Sequence, residues 1–396
     1  KVLLADNAYS IDDFLNTIHK LIDKNNFVYF DDFSTNKLNE NITSILANVA
    51  KSLNPVISEM RLIKDPTEIQ NMQTAANLTA KAHMTAMTKV SPGLYEYNVA
   101  AEIDAEFRTR NADHAYPPIV ASGKNSCILH YTANNKILND GELLLIDAGC
   151  ESLGYASDIT RTFPINGRFS KVQKQIYQIV LSAQKSAIAS IKPGEKVNTP
   201  HEIACDIISR ELIKLGIMKE LNNLTEFYMH KTGHWIGLDV HDVGEYKIDN
   251  DFKDFEEGMV TTVEPGIYIR KNDKIDPKYW NIGIRIEDDV LVTIDGHHVL
   301  SKSAVKEIKD IEETGTKVEN QPWNKKTDAR DALDSNEGNE LTAIAVKSLT
   351  NLEEKIEAID WKLWEIYNIV KNYVETNPST GVSAPQVSQP QASAAD

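Results

Sequence analysis

Short apolar runs broken by polar residues fill the first 58 positions. Within them "FLNTIHKLI" (14–22) has the three-to-four spacing of a helix, and "FVYF" (27–30) reads as a short buried strand. This predicts part of an α/β domain over 1–58. A new unit opens with "DPTE" (65–68): Asp65 as N-cap, Pro66 at the first helical position and Glu68 three residues after the cap form a helix-start signature. The helix it starts stops at "SPG" (91–93), and a second is predicted over 95–112. The order then recurs, with a helix over 172–191, "KPG" at 192–194 and another helix over 201–216. β-rich sequence follows each pair, at about 118–163 and 260–293. The spacing therefore predicts an α+β domain over 59–313 built from two similar halves, a frame for a site at their junction.

Beyond it the pattern changes. Residues 314–340 are polar and read as a linker. From 341 to 376 an amphipathic helix is predicted, with Leu349, Leu352, Ile356, Ile359, Leu363, Ile366 and Val370 at spacings of three and four. Such a stripe over 341–374 calls for a helical partner, and residues 377–396, rich in Pro, Ser, Ala and Gln, are expected to be disordered.

Inside the β-rich segments the pattern is violated by charges. Asp147 ends the run Leu143, Leu144, Leu145, Ile146, and Asp158 interrupts an alternating segment eleven residues later. With the polar tip "ESLG" between them, 143–163 is predicted to be an antiparallel hairpin in which the two carboxylates face one another. Glu264 ends the β-branched run "MVTTV" just before Pro-Gly, and Glu287 sits in the alternating "NIGIRIEDDVLVT" (281–293), sharing a face with Arg285. His230, His234 and His241 stand four and seven apart in "HKTGHWIGLDVH". Each has a plain alternative: a core histidine, a solvated strand-end acid, or a structural salt-bridge network. Four carboxylates and a histidine, all beside apolar strand sequence, fit a metal site better, since a buried carboxylate is costly unless paired, neutralised or metal-bound. Hard oxygen donors with one imidazole suit Mn²⁺, Co²⁺ or Zn²⁺, and so many carboxylates suit two ions.

The order Asp147, Asp158, His234, Glu264, Glu287 resembles the ligand set of the pita-bread metallopeptidases: methionine aminopeptidase, prolidase and aminopeptidase P. The segments "NSCILHYT" (125–132), "LLIDAGCESLGYASDITRTFP" (144–164), "HWIGLDVHDVG" (234–244), "VEPGIYI" (263–269) and "IGIRIEDD" (282–289) are most similar to aminopeptidase P, over roughly 59–313. The resemblance implies a pita-bread fold preceded by a partial N-terminal domain. It also implies hydrolysis of the bond between an N-terminal residue and a following proline, by two divalent ions, Mn²⁺ first among them, and a bridging hydroxide. Prolidase action on Xaa-Pro dipeptides and a catalytically silent binding module are the alternatives. By the same resemblance Asp147 binds one ion, Asp158 and Glu287 bridge the pair, and His234 and Glu264 complete the other. Glu264 doubles as proton shuttle, His130 and His241 stabilise the tetrahedral intermediate, and His230 lies on the substrate side. Arg285 and Tyr268 hold ligand carboxylates in place.

Charge narrows the partners. A net charge of −16 argues against nucleic acid, and no run approaches the length of a membrane span. The expected partners are peptides with proline second and further copies of the chain. Cys127, Cys150 and Cys205 show no framework spacing, which points to reduced thiols and a cytoplasmic setting. The chain opens at Lys1 rather than a methionine and reads as a piece of a longer protein.

Overall fold

The computed structural model describes residues 28–30 and 50–315. The chain divides into two units, 1–321 and 322–396, and every described residue belongs to the first. The helix expected over 14–22, nearly all of the linker, the helix of 341–376 and the tail lie outside the described residues.

Two short strands, β1 (Val28–Phe30) and β2 (Ala50–Ser52), pair in parallel. Helix α1 (Asn54–Leu62) follows, so the domain boundary expected at 58/59 falls inside a helix. Helix α2 (Pro66–Lys89) begins as its sequence dictates. Asp65 accepts from the backbone N–H groups of Thr67 and Glu68, and Glu68 reaches back to the N–H of Asp65. Helix α3 (Glu96–Arg108) packs on α2, and α4 (Lys171–Ala189) packs on α5 (Thr199–Lys214), giving the two helix pairs expected from the repeat.

Each pair is followed by antiparallel strands. In the first half, after the short β3 (Asp113–His114), the strands β4 (Ile119–Ser122), β5 (Leu143–Ala148) and β8 (Ile159–Pro164) form a sheet with β5 in the middle. Both faces of β5 are covered, which explains its continuous apolar run. Leu144, Ile146 and Ala148 enter the main core, while Leu145 packs with Ile119, Ala121 and Tyr268 on the other side. In the second half, after the small pair β9 (Lys247–Ile248) and β10 (Asp251–Phe252), β11 (Val260–Val263) pairs with β14 (Asp288–Thr293), and β12 (Gly266–Ile269) pairs with β13 (Ile282–Arg285).

The segment 281–293 is therefore not one strand. At Ile286 and Glu287 the chain leaves β12 and the N–H of Glu287 donates to Thr160 O of β8 at 3.0 Å. The same strand meets Arg285, where Thr162 Oγ1 donates to the Arg285 carbonyl at 3.0 Å. These bonds join the two halves, and the joint is where the acidic residues collect.

No helix among the described residues is long and apolar enough to cross a membrane.

Candidate metal and active site

Asp147, near the end of β5, stands opposite Thr160 in the ladder, and Asp158 lies one residue before β8. The two acids are thus not cross-strand neighbours as the simple hairpin predicts. The strands β6 (Cys150–Ser152) and β7 (Tyr155–Ala156) continue the ladder in the same register, and the turn at Leu153 and Gly154 sets Asp147 against Thr160 instead of Asp158. Gly149 permits the close return: a Cβ there would sit 1.7 Å from Ser157 O. The acids still meet, through the hydroxyl of Tyr116, which lies 2.7 Å from Asp147 Oδ1 and 2.5 Å from Asp158 Oδ1.

The second half supplies the rest. Residues 232–236 run beside β11, with Thr262 N donating to His234 O at 2.9 Å and Glu264 N donating to Thr232 O at 2.7 Å. This approach needs Gly233, whose Cβ would fall 2.0 Å from Thr262 O. His234 and Glu264 are thereby set side by side. Donor atoms of Asp158, His234 and Glu287 all lie within 4.8 Å of one another. His234 Nε2 is 3.5 Å from Asp158 Oδ2 and 3.8 Å from Glu264 Oε1. Its Nδ1 is 3.0 Å from Trp235 O, an arrangement that fixes the proton on Nδ1 and leaves Nε2 as the free donor atom.

Arg285 ties the far side together. Its guanidinium donates to Asp147 Oδ2 at 2.5 Å, to Tyr268 Oη at 2.8 Å and to Thr160 Oγ1 at 3.2 Å. Thr160 in turn donates to Glu287 Oε2 at 2.6 Å. Arg285 therefore holds a carboxylate directly. Tyr268 does not: its hydroxyl stands between Arg285 and His230 Nε2, 2.8 Å from each. His230 Nδ1 faces Lys231 O at 2.8 Å, so both its ring nitrogens are engaged, and Glu264 Oε2 is 3.5 Å away. His241 packs edge-on against His234, with ring centroids 4.3 Å apart. His130 lies at the exposed rim, where the charges of Arg285 and Asp147 act on it and where it acts on His230 and His241.

The electrostatics report crowding. Burial, then Asp158, Glu264 and Asp147, push Glu287 well above the usual carboxylate range. Burial outweighs His234 and Arg285 and, with Asp158 and Asp147, raises Glu264 to about 7. Burial would lower His234, yet Asp158 and Glu264 outweigh it and push the imidazole up to about 9. Burial lowers His230 to about 3 and depresses His130 and His241 as well. Burial also raises Asp147, whereas for Asp158 burial is outweighed by the His234 imidazole, which lowers it. Four crowded carboxylates with the Nε2 of one imidazole turned among them are the hard donor set a divalent cation site requires. The residues fit the group.

Three contributors are invisible in the sequence pattern. Tyr116 sits in a loop and breaks no periodicity. Thr160 looks like an ordinary strand residue. Asp289, buried behind Asp158, accepts that residue's N–H at 3.1 Å, but in "EDD" nothing separates it from its neighbours.

Comparison with known proteins agrees with this geometry. Metallopeptidase family M24 matches residues 70–294. The chain is 44% identical over 325 residues to the Xaa-Pro aminopeptidase of Haemophilus influenzae, covering 78% of this chain and 74% of that protein. It is 47% identical over 266 residues to the Escherichia coli Xaa-Pro aminopeptidase, covering 65% of this chain and 60% of that one. The solved structure of Pseudomonas aeruginosa aminopeptidase PepP superposes with a TM-score of 0.75 at 40% identity, covering 80% of this chain and 77% of that one. The expected pita-bread fold is thereby met. A match to most of the catalytic unit, together with an acid-and-imidazole cluster at the joint of its two halves, places the chain in metallopeptidase family M24.

Proposed function

We infer that the chain is a metal-dependent Xaa-Pro aminopeptidase, releasing an N-terminal residue from peptides whose second residue is proline. The observation that carries this is the convergence of Asp158, His234 and Glu287 within 4.8 Å, with Glu264 beside His234, in a chain so similar to Xaa-Pro aminopeptidases. Asp147, Asp158, His234, Glu264 and Glu287 would hold the metal, as two divalent ions with Mn²⁺ favoured. Bound ions would polarise the scissile carbonyl and acidify a water.

The side chains do the remaining work. Proline's nitrogen leaves as a secondary amine and must gain a proton as the bond breaks. Glu264, beside His234 and His230, would take a proton from the attacking water and pass it to that nitrogen. His241 and His130, lowered below the ordinary imidazole value by desolvation and by the charges of His234 and Arg285 respectively, each offer one N–H to the oxygen that gathers charge in the transition state. His230, held by Tyr268 and Lys231 O, stands beside Glu264 and orients it. Asp147, held by Arg285 on one oxygen and by Tyr116 on the other, marks where the substrate's free α-amine would sit beside the metal. An Xaa-Pro bond has no N–H, and a site that grips the amine and polarises the carbonyl needs none.

The test is Mn²⁺-dependent release of the first residue from an Xaa-Pro-Xaa tripeptide, beside Gly-Pro as control. Turnover of the tripeptide, abolished in Glu264→Ala, is expected. Activity confined to the dipeptide would contradict the inference.

A further inference from the structure

A buried carboxylate outside the metal cluster has five donors, and all five come from one loop. Glu96, at the start of α3, is fully buried. Its Oε1 accepts from Ser122 N at 2.7 Å, Ser122 Oγ at 2.7 Å and Asn125 Nδ2 at 3.2 Å. Its Oε2 accepts from Tyr131 Oη at 2.7 Å and Lys136 N at 2.9 Å. The backbone adds to the grip, since Glu96 N donates to Lys136 O at 2.9 Å.

The segment so held, 122–136, begins at the end of β4, makes a 3₁₀ turn (Gly123–Cys127) and has no further regular structure before Lys136. A loop without its own ladder takes its shape from such side-chain bonds. It carries His130, whose neighbour in sequence, Tyr131, is buried and bonded to Glu96, while the imidazole itself lies exposed at the rim of the site.

Resting on the catalytic reading of His130 above, we propose that Glu96 is a positioning residue for His130: its carboxylate sets the loop that presents the imidazole to the substrate. The chemistry makes Gln a sharp probe. Each oxygen of Glu96 accepts a backbone N–H, so an amide nitrogen placed at either one opposes a donor that cannot turn round. The shape of the side chain is kept and only the bonding to the loop is spoiled. A misplacement of about 1 Å at a group acting on the transition state costs rate, not substrate binding.

The experiment is a double-mutant cycle with Glu96→Gln, His130→Ala and the pair, measured as kcat and KM on an Xaa-Pro-Xaa peptide with Mn²⁺, beside Tm and manganese content. Expected are a fall of about 10- to 100-fold in kcat for Glu96→Gln with KM and manganese content held, and no further loss when it is added to His130→Ala. Losses that multiply in the pair would overturn the proposal, as would full activity in Glu96→Gln. If Glu96→Gln does not fold, Tyr131→Phe, which removes a single bond to the same carboxylate, enters the cycle in its place with the same expected and contrary results. Undiminished turnover of His130→Ala alone would instead overturn the catalytic reading of His130.

Discussion

The hydroxyl of Tyr116 reaches oxygens of both Asp147 and Asp158, yet it has one proton to give. It fixes the spacing of two carboxylates that would otherwise swing apart under their own repulsion. Tyr116→Phe is accordingly expected to weaken metal retention by about 10- to 100-fold while leaving the fold intact, measured by competition with a chelator. Unchanged affinity would mean that the phenol is a bystander. The contrast with the acids explains what the sequence revealed at this scale. Asp147, Glu264 and Glu287 stand at apolar strand positions, where a charge is anomalous and can be noticed. A tyrosine in a loop, or a threonine in a strand, costs nothing there and leaves no trace. Arg285 bonds Asp147, whereas Tyr268 bonds Arg285 and His230, a difference that alternation cannot foretell.

Among elements, helix starts were the most legible feature. Asp65, Pro66 and Glu68 act through bonds within three residues of one another, so local sequence suffices to predict them. Asp65→Ala should lower stability by about 1 kcal/mol, read as a reduced Tm with unchanged turnover. A loss of metal or activity in that variant would show the cap to be tied to the site. Strand ends were less legible. The alternation through 281–293 continues across the break at Ile286 and Glu287, because the side-chain period survives while the hydrogen-bond partner changes from β12, through one bond to β8, to β11. The offset of Asp147 from Asp158 was hidden because the turn sits at Leu153 and Gly154 inside the same "ESLG" tip, and local sequence does not say which pair of its residues turns.

Across the two halves of the domain, the chain is joined through bonds such as Glu287 N to Thr160 O, and a metal held there would link residues more than a hundred positions apart. The helix-pair repeat made this architecture readable, since order along the chain is preserved even when sequence similarity is weak. Stability also carries a pH signature. His83 is fully buried, 3.1 Å from Ala148 O, and burial lowers its pKa to about 4. Unfolded, the same imidazole takes up a proton near its ordinary value of 6.5. Its contribution is therefore complete above that value and is lost as pH falls towards about 4, amounting to about 3 kcal/mol. His83→Gln, which keeps a donor for Ala148 O but does not titrate, should flatten this part of the acid transition in chelator-treated protein. Equal slopes for both proteins between pH 6.5 and 4 would place the acid sensitivity elsewhere.

The most direct measurement is an anomalous difference map at the manganese edge from crystals grown with Mn²⁺. Two peaks about 3.5–4 Å apart are expected, one against Asp147 and the other against His234 and Glu264, with Asp158 and Glu287 between them. A map with no manganese among these five side chains, or with its manganese bound elsewhere, would contradict the metallopeptidase site.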